Sequence, residues 1–330
     1  MKHSISMVGS LFVLFTAIAF SQIREKLSLH DAINIAVQNN PEILASRHEI
    51  DAAAGRVLQA GRFPNPEFSI SFNESPANFA IGDANEKDFG ISQTFEFPGK
   101  RSSRIEVAEQ EQTFSELTVA RKTAIVATQV KQIYYQALLA AAIKENITFN
   151  IALLDDLLET VTLRYQSGAN TYLEILRVKI EKTRLSNDAV EAERDYRLRI
   201  GNLKTILGKS VDADIALSDS LVYEPFRMAE DSALSVLTEQ SYYLKMKEQE
   251  LLIQQSAYNL AEKSYLPDLK FGLALQNRLG TFPDEGSKNY LGLEVGVSLP
   301  LWFQQGPKGE VQEALALTRA TEYRLTAARQ

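Results

Sequence analysis

The chain has 330 residues, of which 45% are hydrophobic and 23% are charged, a balance typical of a folded protein of one or two domains. Its formal net charge is −7, which makes nucleic acid a poor candidate partner. It has no cysteine, which excludes disulfide bonds and a lipid anchor on a cysteine.

The N-terminal segment has the pattern of a secretory signal peptide. Lys2 supplies a basic start, an apolar run extends from about Val8 to Phe20, and the small residues Ala19 and Ser21 suit a cleavage site. We therefore predict that residues 1–21 are removed on export. No other stretch approaches the roughly eighteen uninterrupted apolar residues of a membrane-spanning helix, which argues against an inner-membrane helical bundle.

Two parts of the chain resemble each other at an offset of about two hundred residues. Pro64 aligns with Pro267, and further along Ile91 aligns with Val297. Two copies of one structural unit explain this match. The first copy is predicted to occupy residues 22–208, and the second, which is incomplete, residues 209–330.

Each copy contains two stretches in which apolar and polar residues alternate with a period of two. The predicted strands are about 66–74 and 87–97 in the first copy, and about 268–277 and 289–300 in the second. A tilted strand of about ten residues crosses a bilayer, and apolar-outward, polar-inward alternation is typical of a membrane β-barrel. A soluble, half-buried sheet would alternate in the same way.

Two features favour the membrane over the soluble sheet. The polar positions hold small residues and isolated charges, as a water-filled lumen would, and aromatic residues gather near one end of the strands. The predicted lipid-facing residues are Phe68, Ile70, Phe72, Leu273, Leu293 and Val295. The predicted interfacial aromatics are Phe95, Phe97, Tyr265 and Trp302.

Four strands cannot close a barrel, and an open sheet edge leaves backbone groups unpaired in lipid. The chain is therefore expected to oligomerise. Two copies would give eight strands and an interior filled by side chains, whereas three would give twelve strands and room for a channel. We predict a homotrimer if the protein is a conduit.

A long helical hairpin is predicted at residues 100–207. Apolar and alanine positions keep helical spacing from Lys100 onward, and there is no proline or glycine up to Arg164. Sixty-five helical residues span about 100 Å, too long for one domain of this size to bury, so the helices need lateral neighbours. Gly168, Ala169 and Asn170 supply the short turn. An isolated antiparallel coiled coil would give the same pattern.

The segment that joins the second strand to the long helix, FPGKRSSR, is unusually basic. Lys100, Arg101 and Arg104 lie at a helix N-terminus, where the helix dipole disfavours cations. Either the helix begins later and these are solvated charges, or they face lipid headgroups below the barrel.

The sequence predicts no enzyme, no metal site and no cofactor. The mature chain has only His30 and His48, with no carboxylates spaced to form a metal cage around them. Gly99-Lys100 and Gly208-Lys209 lack the remaining residues of a phosphate-binding loop, and no serine lies in a nucleophile elbow.

In combination, these features resemble the TolC-like outer-membrane efflux protein family. The segment LSLHDAINIAVQNNPEI (27–43) is similar to the family's opening helix, RYQSGANTYLEILRVKIE (164–181) to its hairpin tip, and NLKTILG (202–208) to the end of its returning helix. The basic segment after the second strand is similar to that of heavy-metal efflux members. The resemblance covers residues 27–330.

The resemblance implies an α+β membrane protein, whose long helical hairpins form a periplasmic α-barrel and whose two β-hairpins contribute four strands to a trimeric, 12-stranded outer-membrane β-barrel. It implies a passive exit duct that partners a periplasmic adaptor and an inner-membrane pump, of the RND type for the heavy-metal branch. The tip residues expected to contact the adaptor are Arg164, Tyr165, Gly168, Asn170 and Tyr172.

Two further expectations remain open at this stage. The repeat predicts that the second helical hairpin would end near position 414, about 84 residues after Gln330, so either the sequence is truncated or the protein is degenerate. The alternative function is a structural or adhesive envelope protein with a small sheet and a projecting coiled coil. Drugs, metal ions and proteins all remain candidate cargoes.

Overall fold

The computed structural model describes residues 25–74, 84–223, 225–279 and 286–330. The predicted signal peptide, residues 1–21, lies outside the described residues. The Cα positions divide the chain into two compact units. One contains residues 25–35 and 130–222 of the described chain, and the other contains residues 36–129 and 223–330. Neither unit coincides with one sequence repeat, and the repeat boundaries stay a prediction.

The helices and then the strands of the described residues are numbered in chain order. The helices are α1 (Leu29–Asn39), α2 (Pro41–Ala60), α3 (Lys100–Gln166), α4 (Tyr172–Ile206), α5 (Glu230–Gln240), α6 (Tyr242–Glu262) and α7 (Pro307–Arg329). The strands are β1 (Glu25–Leu27), β2 (Glu67–Asn73), β3 (Glu86–Phe95), β4 (Ile215–Leu217), β5 (Asp268–Leu279) and β6 (Ser287–Ser298).

The four long strands form a single antiparallel sheet in the order β2-β3-β5-β6. Each predicted β-hairpin is present, and β3 pairs with β5 to join the two hairpins. The strand ends differ from the prediction by up to two residues: β3 ends at Phe95 and β5 continues to Leu279. Strand ends depend on where the partner strand stops, which alternation does not reveal.

The strand register corrects the alignment between the two repeated β-hairpins. Phe68 is opposite Ile91, and its counterpart in the repeat, Phe271, is opposite Val295. Ile91 therefore corresponds structurally to Val295, and its alignment with Val297 was wrong by two residues. A shift of two keeps every side chain on the same face of the sheet, so the predicted faces are unaffected.

The unit that contains residues 25–35 and 130–222 is built on the pairing of α4 with the second part of α3. Lys144 forms an ion pair with Glu193, with 2.6 Å between Nζ and Oε2, and Lys182 pairs with Asp155. Arg199 donates to Gln136 at 3.0 Å. The further a residue lies from the turn on α3, the further from the turn is its partner on α4, as an antiparallel helical hairpin requires.

A small core lies at the opposite end of that hairpin from its turn. β1 and β4 form a parallel pair of three residues each, which the sequence did not predict. The fully buried Tyr134 places its hydroxyl 2.8 Å from the Leu27 carbonyl oxygen and 3.0 Å from Asp219 Oδ2. Asp219 also accepts the Leu29 N–H, at 2.8 Å. One tyrosine hydroxyl thus ties the strand pair to the start of α1.

The other unit contains the four-stranded sheet and helices that pack through small residues. Asn40 caps α2 by accepting the N–H groups of Glu42 and Ile43, and Pro41 suits the first helical position. Between helices, Lys122 donates to Ser46 at 2.6 Å and Gln249 donates to Gln110 Oε1 at 2.7 Å. The buried small residues here include Ser46, Ala53, Ser103, Ala108, Ser256, Ala314, Thr318 and Thr321. Their size permits close helix packing.

Among the described residues, one helix, α3, is long and apolar enough by composition to cross a membrane. Its most apolar 18-residue window has a mean hydropathy of 1.4 and is 17% buried. α3 also forms polar contacts with α4, α2 and α6, so parts of this helix pack against other helices.

Removing the Tyr134 hydroxyl is expected to destabilise the first unit. Tyr134→Phe leaves the Asp219 carboxylate and the Leu27 carbonyl without one donor, which typically costs about 1–2 kcal/mol of unfolding free energy. The control is Tyr135→Phe, because Tyr135 is half exposed. Denaturant unfolding of the detergent-solubilised protein measures both, and equal losses would contradict the assigned role.

The same hydroxyl gives stability a pH dependence. Burial, together with the hydrogen bond to Asp219, raises the pKa of Tyr134 from 10.0 to about 12. A raised folded-state pKa means that the contribution to stability is complete below pH 10 and is lost as the pH rises towards 12. An ultraviolet titration should include a late-ionising tyrosine that Tyr134→Phe removes; loss of an early-ionising tyrosine instead would contradict this.

Candidate functional site

The four-stranded sheet separates apolar from polar side chains almost completely. Along one row across all four strands, the register places Phe68, Ile91, Leu273 and Leu293 side by side. The next row towards the hairpin loops is Ile70, Phe89, Leu275 and Leu291. All eight side chains lie on the same face because residues two apart in a strand share a face.

The residues predicted to face lipid lie on this apolar face. Phe68, Ile70, Phe72, Leu273, Leu293 and Val295 are all exposed, with exposed fractions from 41% for Phe72 to 82% for Leu293. Phe72 stands in the last apolar-face row towards the loop, beside Lys87 and Asn277. A soluble protein rarely exposes a continuous apolar surface of this kind, so the face needs an apolar environment.

The opposite face is polar and carries short side chains. One row consists of Ser69, Gly90, Ala274 and Gly292, and the row beside it of Glu67, Ser92, Gly272 and Glu294. Gly90 leaves space for the Ser69 side chain, because a Cβ there would lie 2.7 Å from Ser69 Oγ and this hydroxyl would have to rotate away. This face has the composition of a surface in contact with water.

Aromatic rings mark the end of the sheet from which α3 begins. The ring centroids of Phe95 and Phe271 lie 5.9 Å apart, and those of Phe63 and Phe95 lie 6.5 Å apart, both edge to face. The Arg101 guanidinium lies over the Phe63 ring at 3.9 Å. Phe95 therefore lies at the centre of a ring cluster at this end of the sheet, and its interfacial role stays a prediction.

The other predicted interfacial aromatics lie just outside the strands. Phe97 follows β3 and is half-buried, with its N–H donated to Asp268 Oδ1 at 3.1 Å. Tyr265 ends a short 3₁₀ turn before β5, and Trp302 lies in the turn after β6 and is 78% exposed. The ring cluster consists of Phe63, Phe95 and Phe271, and none of these other three aromatics belongs to it.

The basic segment at the start of α3 is held by specific partners, and the helix begins at Lys100 itself. The interpretation that it begins later was therefore wrong. Lys100 Nζ lies 2.8 Å from Asp268 Oδ1, with both side chains mostly buried. Arg104 donates two hydrogen bonds to Glu96, at 2.5 and 3.0 Å. These ion pairs offset the unfavourable helix dipole and connect the sheet to the helix.

Arg104 makes more contacts than the other two cations. Its guanidinium also donates to the carbonyl oxygens of Ala60, at 2.9 Å, and Arg62, at 3.2 Å. The hydrogen bonds to Glu96 raise the pKa of Arg104 against the opposing effect of burial, so the group stays charged. The end of α2, the end of β3 and the first turn of α3 therefore meet at one side chain.

The predicted tip of the helical hairpin is a tight turn. α3 ends at Gln166, Gly168 has a φ of 75°, and α4 begins at Tyr172. The Ala169 N–H donates to the Arg164 carbonyl at 2.8 Å, and the Gly168 N–H donates to the Tyr165 carbonyl at 3.0 Å. This pair of bonds is the Schellman motif, in which glycine is favoured because its positive φ strains other residues.

Two aromatic side chains cover the tip. The Tyr165 and Tyr172 ring centroids lie 5.9 Å apart, and both side chains are exposed, as are Arg164 and Gly168. Asn170 is half-buried. The five predicted tip residues thus lie together in one turn, and Gly168 shapes the backbone while the two tyrosines form the surface.

The described residues contain no group of three or more His, Cys, Asp or Glu side chains placed to hold a metal ion. A cleft of about 460 Å³ near the start of α3 is lined by several charged side chains. Its lining includes Glu96, Lys100, Arg104, Lys263 and Asp268. Lys263 donates to the Gly99 carbonyl at 3.1 Å, so the cleft charges mainly serve the junction between sheet and helices.

The sequence reasoning did not identify the junction pairs or the Tyr134 cluster. Glu96 and Arg104 lie eight residues apart across a turn, and Lys100 and Asp268 are separated by 168 residues. The excess of cations at a helix N-terminus was the one available signal, because such charges need a partner.

The model of the outer membrane efflux protein family matches residues 32–209, which is more than half of the chain. The chain belongs to the outer membrane efflux protein family. This assigns it to a family of efflux channels rather than of enzymes, and it implies an outer-membrane location. The matched range runs from α1 to the end of α4 and so includes β2, β3 and the hairpin tip.

One curated relative and two solved structures illustrate the similarity. The cobalt-zinc-cadmium resistance protein CzcC of Cupriavidus metallidurans is 21% identical over 276 residues, which are 84% of this chain and 63% of that protein. The outer membrane protein VceC of Vibrio cholerae superposes with a TM-score of 0.63 at 15% identity, over 91% of this chain and 75% of that chain. The MtrE outer membrane channel of Neisseria gonorrhoeae gives 0.66 at 13% identity, over 92% and 70%.

These likenesses confirm the predicted α+β fold of the efflux protein, with long helices of a channel's helical barrel and four strands for its β-barrel. At such low identity the structures show the fold alone. The chain spans 63% of the length of CzcC, so the activity and partners of a whole efflux protein are proposals here.

Loss of the Arg104 side chain is expected to weaken the junction. Arg104→Ala leaves the mostly buried Glu96 carboxylate unpaired and two carbonyls without a donor, a loss of about 2–3 kcal/mol in unfolding free energy.

The matched control is Arg56→Ala, since Arg56 pairs with Glu111 at 3.6 Å with both side chains well exposed. Such pairs contribute about 0–1 kcal/mol. Denaturant unfolding compares the two variants, and a smaller loss for Arg104→Ala than for Arg56→Ala would contradict the account.

Proposed function

We propose that the protein is the outer-membrane channel component of a tripartite efflux system. It would act as a passive exit duct for substrates that an inner-membrane pump and a periplasmic adaptor deliver. The observation that carries this proposal is the sheet, because its apolar face is continuous and exposed while its other face is polar. A surface with these two faces suits a wall between lipid and water.

Three copies would complete that wall. β2 and β6 are the edge strands of the sheet, and an edge strand in hydrocarbon leaves its backbone amides and carbonyls unpaired. Pairing β6 of one copy with β2 of the next closes a ring, and a homotrimer gives twelve strands with space for an aqueous lumen. We therefore propose a homotrimeric barrel in outer-membrane lipid.

The cargo proposed is a divalent transition-metal cation, with an RND-type pump as the inner-membrane partner. This rests on the similarity to CzcC, a protein named for cobalt, zinc and cadmium resistance. The basic segment after β3 supports the same branch through its resemblance to heavy-metal efflux members. A duct moves what the pump supplies, so the chain itself needs no catalytic residue.

The hairpin tip is the proposed contact with the adaptor. Tyr165 and Tyr172 offer an exposed aromatic pair on a rigid turn, and aromatic side chains with arginine are enriched where proteins bind one another. Arg164 supplies a charge beside them. Gly168 and Asn170 maintain the turn that presents these groups.

Single-channel recording tests the proposed function. The protein, purified from outer membranes and added to a planar lipid bilayer, is expected to give stepwise conductance, and to run as an oligomer that dissociates on heating. A monomer from the soluble periplasmic fraction, without conductance, would contradict the proposal and favour a structural or adhesive protein with a projecting coiled coil.

The tip is tested by removing its aromatic rings. Tyr165→Ala with Tyr172→Ala should abolish most adaptor binding and efflux while the heat-sensitive oligomer still forms, because neither ring belongs to the sheet. Gly168 is a poorer probe, since its φ of 75° makes any substitution strain the turn.

The matched control for the tip is Tyr323→Ala, which removes an exposed ring from α7. Efflux and co-purification with the adaptor are measured for both. Full efflux by the double tip variant would show that the tip is only a structural turn.

A further inference from the structure

Across the polar face of the described strands, the acidic and basic side chains are equal in number towards the hairpin loops but unequal in one group of three. Towards the hairpin loops, the acidic Glu86 and Asp88 are matched in number by Arg278 and Lys288. At the other end, Asp268 forms its ion pair with Lys100. In the described strands this leaves a triad of Glu67, Lys270 and Glu294, in which two carboxylates face one ammonium group.

The triad is a connected structure on three strands. Lys270 Nζ, on β5, lies 3.3 Å from Glu67 Oε2 on β2 and 3.9 Å from Glu294 Oε1 on β6. Lys270 thus stands between the two carboxylates and cannot neutralise both. Each copy of the sheet therefore presents one uncompensated negative charge at this level.

A glycine makes room for the triad. A Cβ at Gly272 would lie 3.1 Å from Glu294 Oε2 and 3.2 Å from Glu294 Cβ, so the glutamate side chain lies across the strand where Gly272 has none. The adjacent row of Ser69, Gly90, Ala274 and Gly292 has no long side chain. The charged groups of the triad therefore lie beside a row of short side chains that leaves them uncovered on that side.

We propose that Glu67, Lys270 and Glu294 form a charge filter that makes the channel prefer cations over anions. This inference rests on the proposed function, because it requires the polar face to line an aqueous lumen. Three copies would place nine charged side chains in one ring, six acidic and three basic. Rings of charged side chains select ions by sign, since a low-dielectric wall focuses their field into the pore.

The test is the permeability ratio of cation to anion, measured from the reversal potential of the single channel in a potassium chloride gradient. The wild-type channel is expected to prefer potassium. Glu67→Gln with Glu294→Gln leaves Lys270 as the only charge of the triad, so the preference should invert to chloride. Lys270→Gln should act in the opposite direction and strengthen the preference for potassium.

A control variant distinguishes the effect of the triad on the permeability ratio from the effect of the protein's net charge. Glu230→Gln with Asp231→Asn removes the same number of negative charges from the exposed α5 helix and should leave the permeability ratio unchanged. Raising the salt concentration should bring the wild-type ratio towards one, because the screening length falls to about 3 Å at 1 M.

The outcomes distinguish the two proposals. Absence of conductance from the wild-type protein contradicts the channel itself. A conducting wild type whose ratio is the same in the Glu67→Gln/Glu294→Gln variant and in Lys270→Gln overturns the filter and leaves the channel intact. If the double variant fails to form the heat-sensitive oligomer, Lys270→Gln and the single Glu294→Gln decide by the opposite signs of their shifts.

Discussion

Backbone pairing in hydrocarbon is the constraint on which this structure depends. A strand in lipid finds no water for its amides and carbonyls, so every such group needs a partner from another strand. The chain supplies four strands in one antiparallel sheet and leaves β2 and β6 as edges. The sequence of each strand is a second consequence: apolar side chains cover one face, small and charged side chains the other. Both features are expected only if strands of further copies pair with these edges and continue the sheet.

The junction of sheet and helices follows from the same constraint. Where the strands of such a sheet are followed directly by helices, the helix termini and the charges near them need partners. Arg104 joins three elements there, Lys100 pairs with Asp268, and the Phe63, Phe95 and Phe271 rings pack at the same end of the sheet. The basic segment that first suggested lipid headgroups is therefore largely an internal clamp. Arg101, over the Phe63 ring, is the one of its three cations whose described contact is with an aromatic face.

Local patterns predicted the elements well, and long-range pairing accounts for what they missed. Alternation with a period of two located all four long strands to within two residues, and Gly168 marked a turn that does require a positive φ. No local signal indicates that β3 pairs with β5, about 180 residues later in the chain, or that the three-residue strands β1 and β4 pair. Strands that short show no periodicity.

The functional surfaces likewise include some that local sequence patterns predict and some that only long-range pairing brings together. The residues proposed to face lipid were predicted from alternation because each belongs to a strand with a clear period. The Glu67, Lys270 and Glu294 triad was hidden, since its members come from three strands and meet only through the register. Tyr134 was hidden too, because an aromatic residue at helical spacing gives no sign that its hydroxyl will be buried against Asp219.

The assignment of the two sheet faces to lipid and water can be measured residue by residue along β6. The chain has no native cysteine, so single cysteines from Tyr290 to Val297 can each carry a spin label in the protein reconstituted into lipid vesicles. Labels at Leu291, Leu293, Val295 and Val297 should collide with oxygen dissolved in the lipid. Those at Gly292, Glu294 and Gly296 should collide with a water-soluble relaxation agent. Uniform access of the water-soluble agent along the strand, with no alternation, would contradict a membrane-spanning sheet.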